Sequence, residues 1–155
     1  MEPDVIALVD GLLDRMHAQR DVDLISDYAA AVPVEVIGNL LRVPREDRGP
    51  LRGWSLAILG ALEPVLTSEQ LAAGNRAVTE FCAYLRELIA HRRQHPGGDD
   101  DLLTRLLGDD QLTETELAQN CVFLLNAGHE TTTNLIGNGL HLLLTHLYGD
   151  RKSVV

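Results

Sequence analysis

Aromatic residues make up only 4% of this 155-residue chain, and it holds two cysteines, Cys82 and Cys121. The cysteines lie far apart in apolar stretches, with no CxxC or secreted-type spacing, which excludes a disulfide framework. They read as reduced, buried, structural thiols. Basic residues are scarce as well: 13 Lys and Arg stand against 23 Asp and Glu, a formal net charge of -10. Arg92-Arg93 and the terminal Arg151-Lys152 are its adjacent basic pairs, and no basic stripe surrounds them. A nucleic-acid partner, which needs clustered Lys and Arg against phosphate, is thereby disfavoured. No apolar run approaches the roughly 20 residues of a membrane span. Met1-Glu2-Pro3-Asp4 carries neither the basic nor the apolar part of a signal peptide, so a cytoplasmic protein with no membrane partner is expected.

What is present fits a helical protein. The chain is 45% hydrophobic and 23% charged, which argues for one folded, Ala- and Leu-rich domain and against disorder. From Pro3 to about Gln19, apolar residues recur at helical spacing, with the proline in a favourable first-turn position. Asp21 to Ile25 reads as a strand or a connector. Ile25 to about Leu41 reads as a helix that becomes regular from Pro33 and stops at Val43-Pro44. A helix over about Pro44 to Leu62 follows. Thr67 and Gln70 form a capping box for a helix running to about His95, with Val78, Phe81, Cys82, Leu85, Leu88 and Ile89 on one face. Pro96-Gly97-Gly98 stops it. Asp99-Asp100-Asp101 then opens a short helix over Leu102 to Leu107, and Gly108-Asp109-Asp110 is a turn. A second capping box, Thr113 to Glu116, launches a helix to about His146. At 1.5 Å per residue it is roughly 50 Å long, more than a 155-residue domain can surround.

Inside that helix, Ala127-Gly128-His129-Glu130-Thr131-Thr132-Thr133 breaks local rules. A mid-helix glycine costs about 1 kcal/mol relative to alanine, and adjacent threonines cost some tenths more. A Glu among apolar residues needs a partner or water. Such violations gather at functional sites. Ala127 and Thr131 are four residues apart and line one strip with Leu124 and Leu135, leaving room for a flat or bulky object. Thr131 either hydrogen-bonds back to the Ala127 carbonyl or turns its hydroxyl to a ligand. Glu130 is rotated about 100° from Thr131, so the two border one site. An acid beside an alcohol at a glycine gap can hold water and pass protons. The plain structural alternative is a close helix crossing at Gly128, with Glu130 in an ion pair.

His129-Glu130 also begins an HExxH zinc motif, but the second ligand position holds Thr133, and His141 and His146 lie too far along the helix. No metal ligand is therefore assigned. His91 and His95, four apart beside Arg92-Arg93, suit a helix C-terminus.

Ala127 to Thr132 resembles the [AG]-G-x-[DE]-T-[TS] signature of the long central I helix of the cytochrome P450 family. The likeness extends over Leu124 to Gly137, is similar to the soluble bacterial class, and continues upstream in Tyr28 to Pro44 and at Trp54. It implies a mainly α fold with little or no β: a partial cytochrome P450 domain, helices D to I, over residues 1–146, with 147–155 a non-family tail from truncation. It further implies a haem b monooxygenase that oxidises a small organic substrate, supplied with electrons by a ferredoxin- or flavodoxin-type partner. Ala127, Gly128 and Thr131 would face the haem and oxygen, and Thr131 and Glu130 would be the catalytic alcohol and acid. The family's haem-ligating Cys loop and its ExxR motif do not occur in this sequence, so the chain alone is expected to be inactive. The rival reading is a non-catalytic helical binding or scaffold domain.

Overall fold

The computed structural model describes residues 2–98, 101–108 and 112–149, with backbone alone for 147–149. Six α-helices account for most of them: α1 (Glu2–His17), α2 (Ala31–Leu40), α3 (Gly49–Gly60), α4 (Ser68–Gln94), α5 (Leu102–Leu107) and α6 (Glu114–Gly149). A π-helical segment (Leu24–Ala29) precedes α2 and a 3-10 turn (Arg45–Asp47) precedes α3. Among the described residues there is no strand, in keeping with the mainly α fold that the family resemblance implied.

Local chemistry explains the helix ends. Thr67 accepts from the Gln70 amide while Gln70 accepts from the Thr67 amide, the full reciprocal cap expected from the sequence. Thr113 and Glu116 repeat it at the start of α6. The Thr113 hydroxyl and amide both donate to the Glu116 carboxylate and hold its pKa below the usual value. At the other end of α2, Val43 N donates to Gly38 O and Arg42 N to Asn39 O, a helix stop that places Arg42 at φ 52°. Glycine is usual at that left-handed position. Here the Arg92 guanidinium reaches the Arg42 carbonyl at 3.3 Å.

Several expectations need correction. Of the two alternatives for Asp21–Ile25 the connector holds: 21–23 are irregular, and the π-helical segment begins at Leu24, where the Asp23 carboxylate caps the Ile25 and Ser26 amides. The helix expected from Pro44 to Leu62 is split into the 3-10 turn and α3. On α4, Val78 is 39% exposed and Cys82 only half-buried. The buried strip is Gly74, Ala77, Phe81, Leu85, Leu88 and Ile89, at three- and four-residue steps. Of the tail expected over 147–155, residues 147–149 continue α6, and 150–155 lie outside the described residues, as do Asp99, Asp100, Asp109 and Asp110.

The contacts divide the chain into two compact units: Val34–His129, and Met1–Pro33 together with Glu130–Val155. In the first, one core gathers Val34 and Ile37 of α2, Leu51 of α3, Phe81, Leu85 and Ile89 of α4, Leu103 of α5, and Leu117, Cys121 and Leu125 of α6. Beside it Arg48, 8% exposed, pairs with Glu35 at 2.6 Å and donates to the Val43 carbonyl. In the second unit, Leu12, Ala29 and Ala30 are buried. There Ile25 of the π-helical segment sits where a Cβ on Gly137 would approach to 2.8 Å.

The α3–α4 crossing requires a glycine. A Cβ on Gly74 would overlap the Ala61 Cβ and stand 3.1 Å from the Ala57 carbonyl oxygen, neither of which is a flexible chain end. Gly74→Ala should therefore lower stability by about 1–3 kcal/mol in urea unfolding, although alanine favours a helix interior by about 1 kcal/mol. An unchanged or raised midpoint would contradict this close approach.

Candidate functional site

The helix that carries the candidate motif is built for length. α6 has 36 residues, about 54 Å, and is unbroken through the glycine and threonines. It passes from one compact unit into the other between His129 and Glu130, so the motif is described along the helix itself. Its N-terminal half buries Leu117, Ala118, Cys121, Leu125 and His129, one strip at three- and four-residue spacing. Its other faces carry large apolar residues that stay exposed, Phe123 at 72% and Leu135 at 74%.

The motif divides by direction. Ala127, Glu130 and Thr131 are exposed, whereas Gly128 is half-buried and His129 is 1% exposed. A Cβ on Gly128 would stand 2.9 Å from Ile37 Cδ1, so the space left by the glycine is taken by α2. His129 Nδ1 lies 3.0 Å from the Ser55 hydroxyl of α3. That partner, 74 residues away, was invisible in the sequence, where His129 was weighed only as half of a zinc motif. Among the described residues no three of His, Cys, Asp and Glu gather into a group that could hold a metal ion. His91 and His95 stack at 4.7 Å, and His95 closes α4 by its amide bond to the His91 carbonyl.

The end of α3 and the loop after it are mixed in exposure. Ile58 is core, whereas Leu62 is 74% and Val65 87% exposed. Trp54 donates to Glu80 at 3.0 Å and stacks on Phe81 at 5.1 Å. The Tyr84 hydroxyl donates to Asp47, and burial with that bond raises its pKa.

The Cytochrome P450 family profile matches residues 57–149. The chain belongs to the cytochrome P450 family. It is 37% identical over 148 residues to the biotin biosynthesis cytochrome P450 of Bacillus subtilis (strain 168), covering 94% of this chain and 37% of that protein. It is 41% identical over 152 residues to the vitamin D(3) 25-hydroxylase of Pseudonocardia autotrophica, covering 94% of this chain and 35% of the relative. It is similar, at TM-score 0.87 and 37% identity, to the structure of P450BioI in complex with an acyl carrier protein ligated to hexadec-9Z-enoic acid, over 97% of this chain and 39% of that one. The chain thus spans little more than a third of the relatives it matches. No helix among the described residues is long and apolar enough to cross a membrane.

The family implies haem, and the residues present suit one face of it. Ala127 and Thr131 offer a short side chain and a hydroxyl on exposed positions, between the apolar Phe123 and Leu135. The iron-holding thiolate is another matter. Cys121 is 1% exposed in the core, and burial pushes its thiol up to about 11. Cys82 lies on α4, half-buried, on a helix rather than a loop.

Proposed function

We propose that this chain is the oxygen-activating segment of a haem-thiolate monooxygenase. The whole enzyme would insert one atom of dioxygen into a small organic substrate and reduce the other to water. A ferredoxin- or flavodoxin-type partner would supply the electrons. Haem b, when bound, supplies the iron at which dioxygen is reduced. Ala127, exposed and short, would lie against it, whereas the gap at Gly128, which the family likeness assigned to the haem face, is filled by Ile37. In the haem-loaded enzyme the Thr131 hydroxyl would be the alcohol that hydrogen-bonds at the oxygen site and to water. The Glu130 carboxylate, exposed to solvent, takes up a proton and passes it through water to that hydroxyl. The observation that carries this reading is the outward turn of Ala127, Glu130 and Thr131 while Gly128 and His129 are turned into the fold.

The names of relatives at 37% and 41% identity range from biotin biosynthesis to vitamin D(3) 25-hydroxylation, so similarity at this level supports the chemistry and leaves the substrate open. The free thiols of Cys82 and Cys121 support a reducing compartment, and the cytoplasm is the proposed location.

Two measurements test this. Added to the isolated chain, reduced and exposed to carbon monoxide, haem should give no Soret band at the thiolate position; such a band would overturn the assignment of the ligand to sequence outside this chain. The second is a chimera in which residues 1–146 replace the matching part of the Bacillus subtilis relative. Thr131→Ala or Glu130→Gln in it should lower product formation by about 100-fold while the thiolate spectrum persists. Unchanged turnover would instead favour a helical binding role.

A further inference from the structure

His129 stands between Gly128 and Glu130, yet the proposed chemistry gives it no part. Its setting is specific. The ring is 1% exposed and its Nδ1 lies 3.0 Å from the hydroxyl of Ser55, which is 0% exposed. Both belong to the Val34–His129 unit. The residues one and two turns earlier on the same strip, Leu125 and Cys121, are apolar core. An imidazole in their place costs desolvation that an apolar side chain does not, unless it is hydrogen-bonded. What it adds is direction. Apolar contact is non-directional, whereas a buried hydrogen bond constrains both distance and angle. The bond forms in either sense, from the hydroxyl to Nδ1 or from Nδ1–H to the hydroxyl oxygen.

The neighbouring residue supplies a second constraint. Ile37 of α2 fills the gap at Gly128, with Cδ1 2.9 Å from where a Cβ would lie. Two successive residues of α6 are thus held by two different elements. Ile37 sets how closely α2 approaches, and Ser55 sets how the turn is rotated toward α3. Glu130 follows on the same helix, about 100° further round.

We infer that His129 is a positioning residue: through Ser55 it ties α3 to α6 and sets the rotation from which Glu130 and Thr131 are presented. The assignment rests on the proposed role of those two residues. It gives α3 a direct mechanical link to the proton-relay turn. Residues that orient reacting groups act in this way, through bonds that fix a rotamer or a helix setting.

The test uses the haem-free chain and reads geometry by NMR, from the Thr131 methyl signal and the His129 ring nitrogens. Ser55→Ala and His129→Leu should both shift the Thr131 methyl. Ser55→Ala should also move the Nδ1 resonance. His129→Asn, whose amide can occupy the position of Nδ1, should keep the wild-type Thr131 signal. Leu103→Ala is the control: it empties a fully buried site of the same core and should leave the Thr131 methyl in place while lowering the unfolding midpoint. An unmoved Thr131 methyl in Ser55→Ala, or an equal shift in Leu103→Ala, would overturn the assignment. In the chimera, Ser55→Ala should lower product formed per electron supplied at unchanged substrate KM. If Thr131→Ala has no effect there while the methyl shifts hold, the proton relay fails and the His129–Ser55 link stands. If the relay holds and the methyl is unmoved, the link fails alone.

Discussion

Asp101→Ala should destabilise the Val34–His129 unit by about 3–5 kcal/mol, read as a fall in the urea midpoint at unchanged slope. Asp101 is 1% exposed and serves several partners at once. Its Oδ1 caps α5 by accepting from the Leu103 amide at 3.1 Å. Its Oδ2 accepts from the Thr104 hydroxyl at 2.7 Å and pairs with the Arg92 guanidinium at 3.1 Å. Arg92, at 15% exposure, also holds the Arg42 carbonyl at the end of α2. Removing the carboxylate leaves a largely buried guanidinium without its counter-charge, and that penalty exceeds the loss of a cap, which is about 1 kcal/mol. Asp101→Asn keeps an acceptor for the Leu103 amide, with its NH2 in place of the oxygen that faces Thr104 and Arg92, and should cost somewhat less than alanine. Equal costs for the two would mean that the loss lies in the ion pair and the cap contributes little, whereas a cost of about 1 kcal/mol or less for both would mean that the ion pair contributes little. Gly97 belongs to the same cluster: its amide donates to Thr104, and a Cβ there would overlap the carboxylate.

Phe81→Ala should cost a similar amount, about 3–5 kcal/mol, by a different route. The ring is 0% exposed and lies at the meeting of α4 with the rest of the core. Its deletion removes apolar surface from the interior and leaves a cavity that the surrounding helices can only partly close. Its stacking on Trp54 at 5.1 Å provides a direct reporter, because Trp54 is the only tryptophan in the sequence. The variant should change Trp54 fluorescence in the folded state as well as lower the midpoint. A loss below 1 kcal/mol, or an unchanged Trp54 signal, would contradict this packing.

Both sites show where sequence reading succeeded and where it stopped. Asp101 was legible as the opening of a short helix, since a cap is a contact between residues two and three apart. Its pairing with Arg92 was not, because the loop after α4 had to fold back first. Phe81 was legible as core from helical spacing. Val78 and Cys82 were placed on the same face, and the structure exposes Val78 and half-exposes Cys82. The face is centred instead on Gly74 and Ala77, whose small size gives little hydropathy signal. They are buried because α3 approaches α4 closely there.

The candidate motif divides in the same way. Its residue types, their spacing and the length of the helix were in the sequence, because the capping chemistry at Thr113–Glu116 and the 3.6-residue period are local. The same locality made the two capping boxes and the stop before Val43-Pro44 readable. Direction was not readable. That Gly128 faces Ile37 and that His129 reaches Ser55 depend on α2 and α3, up to 91 residues earlier in the chain, packing on α6. The sequence by itself determined the helices, their caps and the motif that marks the cytochrome P450 family. Only the tertiary structure decided which side of each helix is core, because that choice is made by whichever partner arrives, and no local residue pattern encodes the partner.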